Sequence, residues 1–265
     1  MQYLVNSLRS PTSRKNYISG ARWWIYARGG DPSPLSSQEA KAVEKGALRL
    51  NPYYAAPAPP LSPADLTKVA MALDNIHNGY IYKAAITVGY FGFLRTSNLL
   101  CAKASLWGGA HTLARRDITL HRNGLAIYIR SSKTIKPTDN PGVVLLPHIP
   151  GSPACPTTAW LDYVTKVPAH PRTAAFVYSD GTQVTTNRLV MVLRAVLLAL
   201  GSPTAHQVSS HSLRRGGTQA AQMSGAAQED IQVQGTWKSK GSMKTYLAKQ
   251  SSAKVATSLA HLFGH

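Results

Sequence analysis

The most informative part of the chain is SSHSLRRGGTQAAQMSGAAQEDIQVQGTWKSKGSMKTYL, residues 209–247. Ser209 or Ser210 can cap a helix that begins at His211, which puts His211 and Arg214 on one face of its first turn. The free N–H groups and the dipole at that end of a helix favour a phosphate. Because an arginine guanidinium can hold two phosphate oxygens at once, we expect a phosphate-binding site here.

Two aromatic residues follow in a basic loop. Trp237 and then Tyr246, nine positions later, stand among Lys238, Lys240 and Lys244. A histidine and an arginine three positions apart occur by chance in most basic proteins, so that pair carries little weight alone. The aromatic residues that follow it make the whole segment more informative than the pair alone.

The net charge indicates a polyanionic partner. Lys and Arg number 29 against 11 Asp and Glu, which gives a formal net charge of +18 and a pI near 10.1. Basic residues recur from Arg9 to Lys254, so the positive surface is built into the fold. The hydrophobic fraction of 44% is typical of a folded protein. We therefore predict nucleic acid as the main partner, with a ribosomal-type or generally adhesive basic protein as the alternative.

Cysteine usage and the distribution of apolar residues limit the cellular compartments in which the protein is expected. Two cysteines, Cys101 and Cys155, form no CxxC pair or metal-ligand cluster and indicate a reducing environment. No apolar stretch is long enough to span a bilayer, and the first residues lack the apolar core of a secretory signal. We expect a cytoplasmic or nuclear protein, and the sequence does not decide between the two.

A proline-rich segment, NPYYAAPAPPLSP at residues 51–63, predicts two domains. Proline fixes φ and removes a backbone donor, so this segment is expected to be an extended linker. Residues 1–57 then form a small helical unit with that linker, and residues 58–265 form the main domain. In the small unit, Ser13 is the expected cap of a helix that stops at Gly29-Gly30, and a second helix covers residues 37–50. The residues expected to pack the first helix are Tyr17, Ile18, Ala21, Trp24 and Ile25.

The main domain is predicted to be mainly α with a small antiparallel β-sheet. DITLHRNGLAIYIRSSKT, residues 117–134, predicts two strands joined by a turn at Asn123-Gly124, and residues 143–149 supply a third strand. Helical patterns cover residues 62–73, 79–94, 96–103, 157–165, 185–200, 212–223, 228–233 and 251–263.

The segment from His211 to Tyr246 resembles the C-terminal signature of the tyrosine recombinase, or phage integrase, family. The match consists of His211-Ser212-Leu213-Arg214, then Gly235 and Trp237, then Tyr246, in residue type and in spacing. The resemblance covers most of residues 62–250. It implies the family's catalytic fold, preceded by a shortened helical core-binding domain that clamps DNA.

Two further family positions are filled earlier in the chain. The family has an arginine after an apolar helix, which Arg95 supplies in GYFGFLRTSNLL, residues 89–100. It also has a lysine on a β-hairpin, which Lys133 supplies in IRSSKT, with Lys136 as a close competitor. Asn98 departs from the pattern, since the family usually has an acidic residue there that orients its neighbours.

The resemblance implies a metal-free cleavage of DNA. The implied catalytic residues are Arg95, Lys133, His211, Arg214, Trp237 and Tyr246. The arginines would clamp the scissile phosphate, and the lysine would protonate the leaving 5′ oxygen. The histidine would act as general base or exchange the proton with the tyrosine. The tryptophan would pack beside the nucleophile and hydrogen-bond the phosphate, and the tyrosine would form a 3′-phosphotyrosine. No metal or other cofactor is implied, in keeping with only 11 carboxylates in the chain.

The partners implied are double-stranded DNA and further copies of the chain. The residues expected to contact DNA are Arg14, Lys15, Arg22, Lys136, Arg215, Lys238, Lys240 and Lys244. The family commonly docks a final helix on an adjacent protomer, and residues 251–263 have apolar residues at helical spacing. This implies a dimer on each site and a tetramer in the synapse, with no membrane partner.

Within the family, LRTSNLL, LPHIPGSPACP and HSLRRGG are most similar to recombinases of DIRS-like retroelements of eukaryotes. This resemblance implies a mobile element and a nuclear location. Three alternatives stay open: a type IB topoisomerase, which shares the catalytic residues, a catalytically silent DNA-binding remnant of the family, and an RNA-binding protein.

Overall fold

The computed structural model describes residues 10–50, 57–103, 112–131, 135 and 142–248. The chain divides into two compact units, Met1–Pro57 and Ala58–His265. The division falls within the proline-rich segment, and the roles assigned to the two units stay predictions. Lys133, Lys136 and the helix predicted over residues 251–263 lie outside the described residues.

The first unit contains two helices, α1 (Pro11–Ala27) and α2 (Gln38–Leu50), with a short 3-10 helix at Ser33–Ser36 between them. The cap of α1 is Ser10, not Ser13, because the Ser13 amide donates to the Ser10 hydroxyl at 3.4 Å. Pro11 can take the first helical position, where no amide hydrogen is needed.

The aromatic side chains of α1 are exposed, so the prediction that they pack in a core is wrong. Tyr17 is 60% exposed and Trp24 is 53% exposed. Ile18 is buried and Ile25 is partly buried, so only a narrow aliphatic stripe of α1 is shielded from solvent. The guanidinium carbon of Arg28 lies 4.1 Å from the centre of the Trp24 ring.

The second unit is mainly helical. Its helices are α3 (Pro63–Leu73), α4 (Gly79–Phe91), α5 (Thr96–Leu99), α6 (Pro156–Lys166), α7 (Thr186–Ala199), α8 (Ser210–Met223), α9 (Gln228–Gln234) and α10 (Lys240–Lys244). Short 3-10 helices occupy Arg115–Asp117 and Ala205–Gln207.

The core is built around α4, which is apolar on nearly every side. Its neighbours are α3, α6, α7 and α8. A helix that is apolar all round is stable only when it is enclosed, and α4 meets that condition because Ile81, Ala85 and Val88 are almost fully buried. Hydroxyl side chains cap two of the surrounding helices, Ser62 at α3 and Thr185 at α7.

The sheet has three antiparallel strands in the order β1 (Ile118–His121), β2 (Gly124–Ile129) and β3 (Gly142–Pro147). His121 pairs with Gly124, so the turn residues are Arg122-Asn123, one position earlier than predicted. Gly124 has φ +144°, and a Cβ there would lie 2.1 Å from the Leu146 carbonyl oxygen. The fold class is therefore confirmed as mainly α with a small antiparallel sheet. The turn between β1 and β2 was predicted one residue too late in the chain.

Two predicted helix ends before the site were wrong. Helix α4 ends at Phe91 and not at Leu94, because Gly92 caps it and Phe93 follows with φ +46°. Helix α5 ends at Leu99 and not at residue 103, since Leu100 is extended and Cys101 forms a bridge with Thr185. Arg95 consequently lies four residues past the end of α4 and occupies the N-cap position of α5.

The glycine pair Gly216-Gly217 lets α8 lie against the main chain of its neighbours. A Cβ on Gly216 would lie 2.2 Å from the Leu61 carbonyl oxygen, and one on Gly217 would lie 2.1 Å from the Tyr90 carbonyl oxygen. This close approach brings the start of α8 beside the loop that carries Arg95. Among the described residues, no helix combines the length and apolar character needed to cross a membrane.

Candidate active site

The site begins at the first turn of α8. The Ser209 hydroxyl accepts from the His211 amide at 3.2 Å, and the Ser212 hydroxyl accepts from the Ser209 amide at 3.0 Å. The Thr96 hydroxyl donates to the Ser210 carbonyl at 2.9 Å, which ties α5 to α8. The capped turn therefore holds His211 next to the segment that carries Arg95.

Arg214 is held by main-chain carbonyls and not by a carboxylate. Its side chain is only 2% exposed, and its two Nη atoms donate to the carbonyls of Phe93 and Gly235, the latter at 2.8 Å. Phe93 and Thr236 both have positive φ, +46° and +52°, an uncommon conformation for residues with a Cβ. The strained backbone on each side thus presents the two carbonyls that fix the guanidinium.

Trp237 and Met243 form the apolar floor of the site. Both are buried in a small cluster with Phe93 and Ile231, and Tyr246 packs against it. The guanidinium carbon of Arg214 lies 3.8 Å from the centre of the Trp237 ring, a cation–π contact. Trp237 thus lies beside the segment that carries Tyr246, and its role and its hydrogen bond to a phosphate stay predictions.

Tyr246 lies two residues after the end of α10, and its hydroxyl reaches His211. The hydroxyl oxygen is 3.3 Å from Nδ1 of His211, and the Tyr246 and Trp237 ring centres are 5.4 Å apart. The guanidinium carbons of Arg214 and Arg215 lie 5.2 Å and 5.5 Å from the centre of the tyrosine ring. His211, Arg214, Trp237 and Tyr246 of the predicted C-terminal signature therefore meet in one place.

The arginines around Tyr246 leave hydrogen-bond donors unused. Nη1 of Arg95, Nε of Arg214 and Nε of Arg215 are buried without a hydrogen-bond partner in the described part of the chain. None of these arginines takes part in the ion pairs that the described residues form. Buried donors that also carry positive charge suit an anion with several acceptor oxygens, such as a phosphate.

The positive charges also set the protonation of His211. Burial and the charges of Arg214, Arg215 and Arg95, in that order, lower the pKa of the His211 imidazole below its ordinary value. The ring is therefore neutral at neutral pH, and Nδ1 can accept the tyrosine proton when Nε2 carries the ring hydrogen. Burial and the Arg95 charge lower the pKa of Arg214 as well, yet its guanidinium stays cationic at neutral pH.

Asn98, which replaces the usual acidic residue, connects α5 to the sheet. Its side chain is 3% exposed, and Nδ2 donates to the Ser131 carbonyl at 3.1 Å. Ser131 lies two residues beyond β2 and two residues before Lys133. An amide can donate this hydrogen bond and an ionised carboxylate cannot. Asn98 therefore holds the main chain at Ser131, two residues before the predicted lysine.

Three of the lysines expected to contact DNA are close to Tyr246 in the sequence. Lys238, Lys240 and Lys244 are exposed in the segment that includes α10. Lys240 is paired with Glu229 at 2.6 Å, so part of its charge is neutralised. Their contacts with DNA stay predictions.

The arginines and lysines predicted from the first helix differ in exposure. Lys15 and Arg22 are exposed on α1, whereas Arg14 is only 3% exposed. Arg14 is thus buried and not on the surface where a DNA contact was expected. Arg215 is also not free, because its Nη1 donates to the Thr245 carbonyl at 2.9 Å.

Several residues that shape the site were not predicted from the sequence. Phe93 and Gly235 contribute carbonyl oxygens, which no side-chain motif reveals. Gln219 and Gln222 contact the main chain of Tyr246 and Ala248. The spacing of the glutamines along one side of α8 was the available signal, and it cannot be interpreted until the segment that carries Tyr246 is placed.

No protein-family model and no curated protein matches the chain. Among solved structures, XerA recombinase is similar with a TM-score of 0.54 and 16% identity, over 95% of this chain and 83% of that chain. The Tn1549 transposon integrase in complex with circular intermediate DNA is similar with a TM-score of 0.54 and 13% identity, over 91% of this chain and 84% of that chain.

A third similar structure is XerH site-specific recombinase bound to difH substrate in a pre-cleavage complex. Its TM-score is 0.53 and its identity 16%, over 76% of this chain and 53% of that chain. The chain thus spans about half the length of the XerH structure. The second unit, with the helices and sheet described above, has the catalytic fold of tyrosine recombinases.

Proposed function

We propose that the protein cleaves and rejoins DNA strands through a covalent bond between Tyr246 and a 3′ phosphate. The observation that carries this proposal is the hydroxyl of Tyr246, 3.3 Å from His211 and next to arginines with unused donors. A phosphodiester repels nucleophiles, so an activated hydroxyl needs neighbouring cations to attack it.

In the proposed reaction, the Tyr246 oxygen attacks phosphorus and its proton passes to Nδ1 of His211. Arg95 and Arg214 hold the non-bridging oxygens, whose negative charge grows in the transition state. The bond from phosphorus to the 5′ oxygen breaks as the bond to tyrosine forms. The phosphotyrosine retains the energy of the broken bond, so a second 5′ hydroxyl can reverse the reaction without ATP.

The proton for the leaving 5′ oxygen is assigned to Lys133, with Lys136 as the competitor. One support is the family resemblance. The other is Ser131, two residues before Lys133, whose carbonyl is hydrogen-bonded to Asn98. Replacing the 5′ bridging oxygen of the substrate with sulfur tests this, because a thiolate leaves without a proton. Lys133→Ala should cleave the oxygen substrate poorly and the sulfur substrate at nearly the wild-type rate. The same pattern in Lys136→Ala alone would assign the role to Lys136.

DNA is the proposed partner, and the positive charge of +18 supports it. We further propose a dimer on each site and a tetramer in the synapse, joined through residues 251–263. Deleting residues from Ala253 onward should then prevent assembly on DNA while single-site binding persists. Unchanged particle mass by light scattering on DNA would contradict that assembly.

The biological setting is proposed to be the recombination or integration of a mobile element. The support is the similarity of LRTSNLL and HSLRRGG to DIRS-like retroelement recombinases. A nuclear location follows if the element is eukaryotic, and a cytoplasmic one otherwise.

The experiment that tests the function uses a nicked DNA duplex that traps the covalent product. Wild-type protein should give an adduct that resists SDS, and a two-site substrate should yield exchanged strands. Relaxation of supercoiled DNA without strand exchange would instead indicate a topoisomerase. DNA binding without any adduct would indicate a silent member of the fold.

A further inference from the structure

The main chain around Tyr246 is hydrogen-bonded to one side of α8. Nε2 of Gln219 donates to the Tyr246 carbonyl at 3.2 Å, and Oε1 of Gln222 accepts from the Ala248 amide at 2.9 Å. Nη1 of Arg215 donates to the Thr245 carbonyl at 2.9 Å. Residues four and seven positions apart lie on the same face of a helix, so the three side chains form one stripe.

The helix that carries this stripe also carries the groups that Tyr246 must meet. His211 and Arg214 lie in the first turns of α8, and Gln219 and Gln222 lie in its later turns. A helix is rigid along its length, so hydrogen bonds to its later turns fix the tyrosine backbone relative to its first turn. The position of Tyr246 relative to His211 and Arg214 is therefore set by a single helix, α8.

The apolar contacts of the segment cannot provide this fixation alone. Met243 is fully buried and anchors the segment in the cluster with Trp237. Hydrophobic contact has no preferred direction, whereas a hydrogen bond restricts both distance and angle. A displacement of about 1 Å at a reacting group can cost on the order of 100-fold in rate, so directional bonds are the more useful restraint.

The glutamines are also poorly placed to serve stability. Both side chains and their hydrogen bonds are partly buried, and a single such bond makes only a small net contribution to stability. The partners also fix the orientation of both side-chain amides. The Tyr246 carbonyl requires the NH₂ group of Gln219, and the Ala248 N–H requires the oxygen of Gln222.

We propose that Gln219 and Gln222 are positioning residues that fix the backbone of the Tyr246 segment to α8 and so aim the tyrosine hydroxyl. This inference rests on the proposed function, since aiming matters only for a nucleophile. It adds two residues that act through the main chain and touch neither DNA nor the reacting atoms.

The opposite polarity of the two bonds provides a matched test. Gln219→Glu replaces the required donor with a carboxylate, which repels the Tyr246 carbonyl. Gln222→Glu keeps the required acceptor and can still bind the Ala248 amide. Both variants add the same negative charge to the same helix, so any general effect on DNA binding is shared.

The measurement is the rate of adduct formation at saturating nicked DNA, with the dissociation constant measured separately. Gln219→Glu should slow the reaction by about 10-fold or more, and Gln222→Glu should stay within about two-fold of wild type. Gln222→Ala, which lacks the acceptor, should slow the reaction while its melting temperature stays close to that of wild type. The dissociation constants of the two glutamate variants should agree with each other.

Hydrogen exchange at the Ala248 amide reports the contact without any catalysis. The amide should exchange faster in Gln222→Ala than in wild type, and Gln222→Glu should restore protection. Equal adduct rates in Gln219→Glu and Gln222→Glu, with active wild type, would overturn the inference and leave the proposed function intact. Absence of an adduct from wild type would overturn the proposed function, and the positioning role with it, even where Ala248 stays protected.

Discussion

The guanidinium carbon of Arg214 lies 3.8 Å from the centre of the Trp237 ring, and the chain between α9 and Trp237 passes through Gly235. Gly235 also supplies the carbonyl that binds Nη2 of Arg214. The cation is therefore positioned from two sides by residues only two positions apart. This relationship makes the conformation of the loop after α9 a condition for the proposed binding of a phosphate beside Tyr246.

A side chain at Gly235 should disrupt this arrangement. A Cβ there would lie 1.7 Å from the Trp237 ring, so Gly235→Ala must displace the indole or the backbone. We expect the free energy of unfolding to fall by about 1–3 kcal/mol, the usual cost of overpacking a core. Gly241→Ala in α10 is the control, because a Cβ there has no atom within 4 Å. Equal stabilities of the two variants by urea unfolding would show that the loop is not tightly packed.

The cleavage rate should depend on pH through His211. Its pKa is lowered by burial and by three arginines, so the neutral base persists below the ordinary histidine pKa of about 6.5. The rate should be constant near neutral pH and should fall only on acidification below that value. Arg215→Gln removes one neighbouring charge and should raise the His211 pKa, which NMR titration of the imidazole protons can follow. A wild-type titration above the ordinary value would contradict the electrostatic account.

Tyr246 should act on DNA bound by its own chain. Its hydroxyl contacts His211 of the same chain, and α10 leads directly into it. A mixture of Tyr246→Phe and Arg214→Ala protomers should give no adduct, since neither chain has a complete site. An adduct formed by the mixture alone would mean that a tyrosine enters the site of another protomer.

The exposed lysines should contribute unequally to DNA binding. Lys244 forms no ion pair among the described residues, whereas Lys240 is paired with Glu229 at 2.6 Å. If Lys244 contacts a phosphate, Lys244→Ala should reduce the slope of log affinity against log salt by about 0.9. Lys240→Ala should change it less, because Glu229 already neutralises part of that charge. The reverse order would place the DNA on the other side of α10.

Much of the fold could be predicted because it follows from short-range patterns. The apolar residues of α4, those of β2 and the capped start of α8 each carry their own signal. The end of α4 could not be predicted, since Phe93 adopts φ +46° for reasons that lie in its tertiary contacts. The exposure of Trp24 was missed because apolar residues at helical spacing do not indicate whether another element packs against that face of the helix.

The site was predictable to the extent that its chemistry resides in side chains. His211, Arg214, Trp237 and Tyr246 were chosen by type and spacing, and they meet in the structure. The carbonyls that hold Arg214 could not be predicted, because every residue has a carbonyl. The glutamines of α8 were missed for a similar reason, since an amide on an exposed face has many ordinary roles.

The central claim is that Tyr246 becomes covalently joined to DNA, and mapping the adduct tests it most directly. Wild-type protein is trapped on a nicked duplex with a labelled 3′ phosphate, digested with protease and analysed by mass spectrometry. The proposed reaction predicts that the labelled phosphate resides on the peptide that contains Tyr246, and that Tyr246→Phe yields no adduct. A labelled peptide from elsewhere in the chain, or an adduct that persists in Tyr246→Phe, would contradict it.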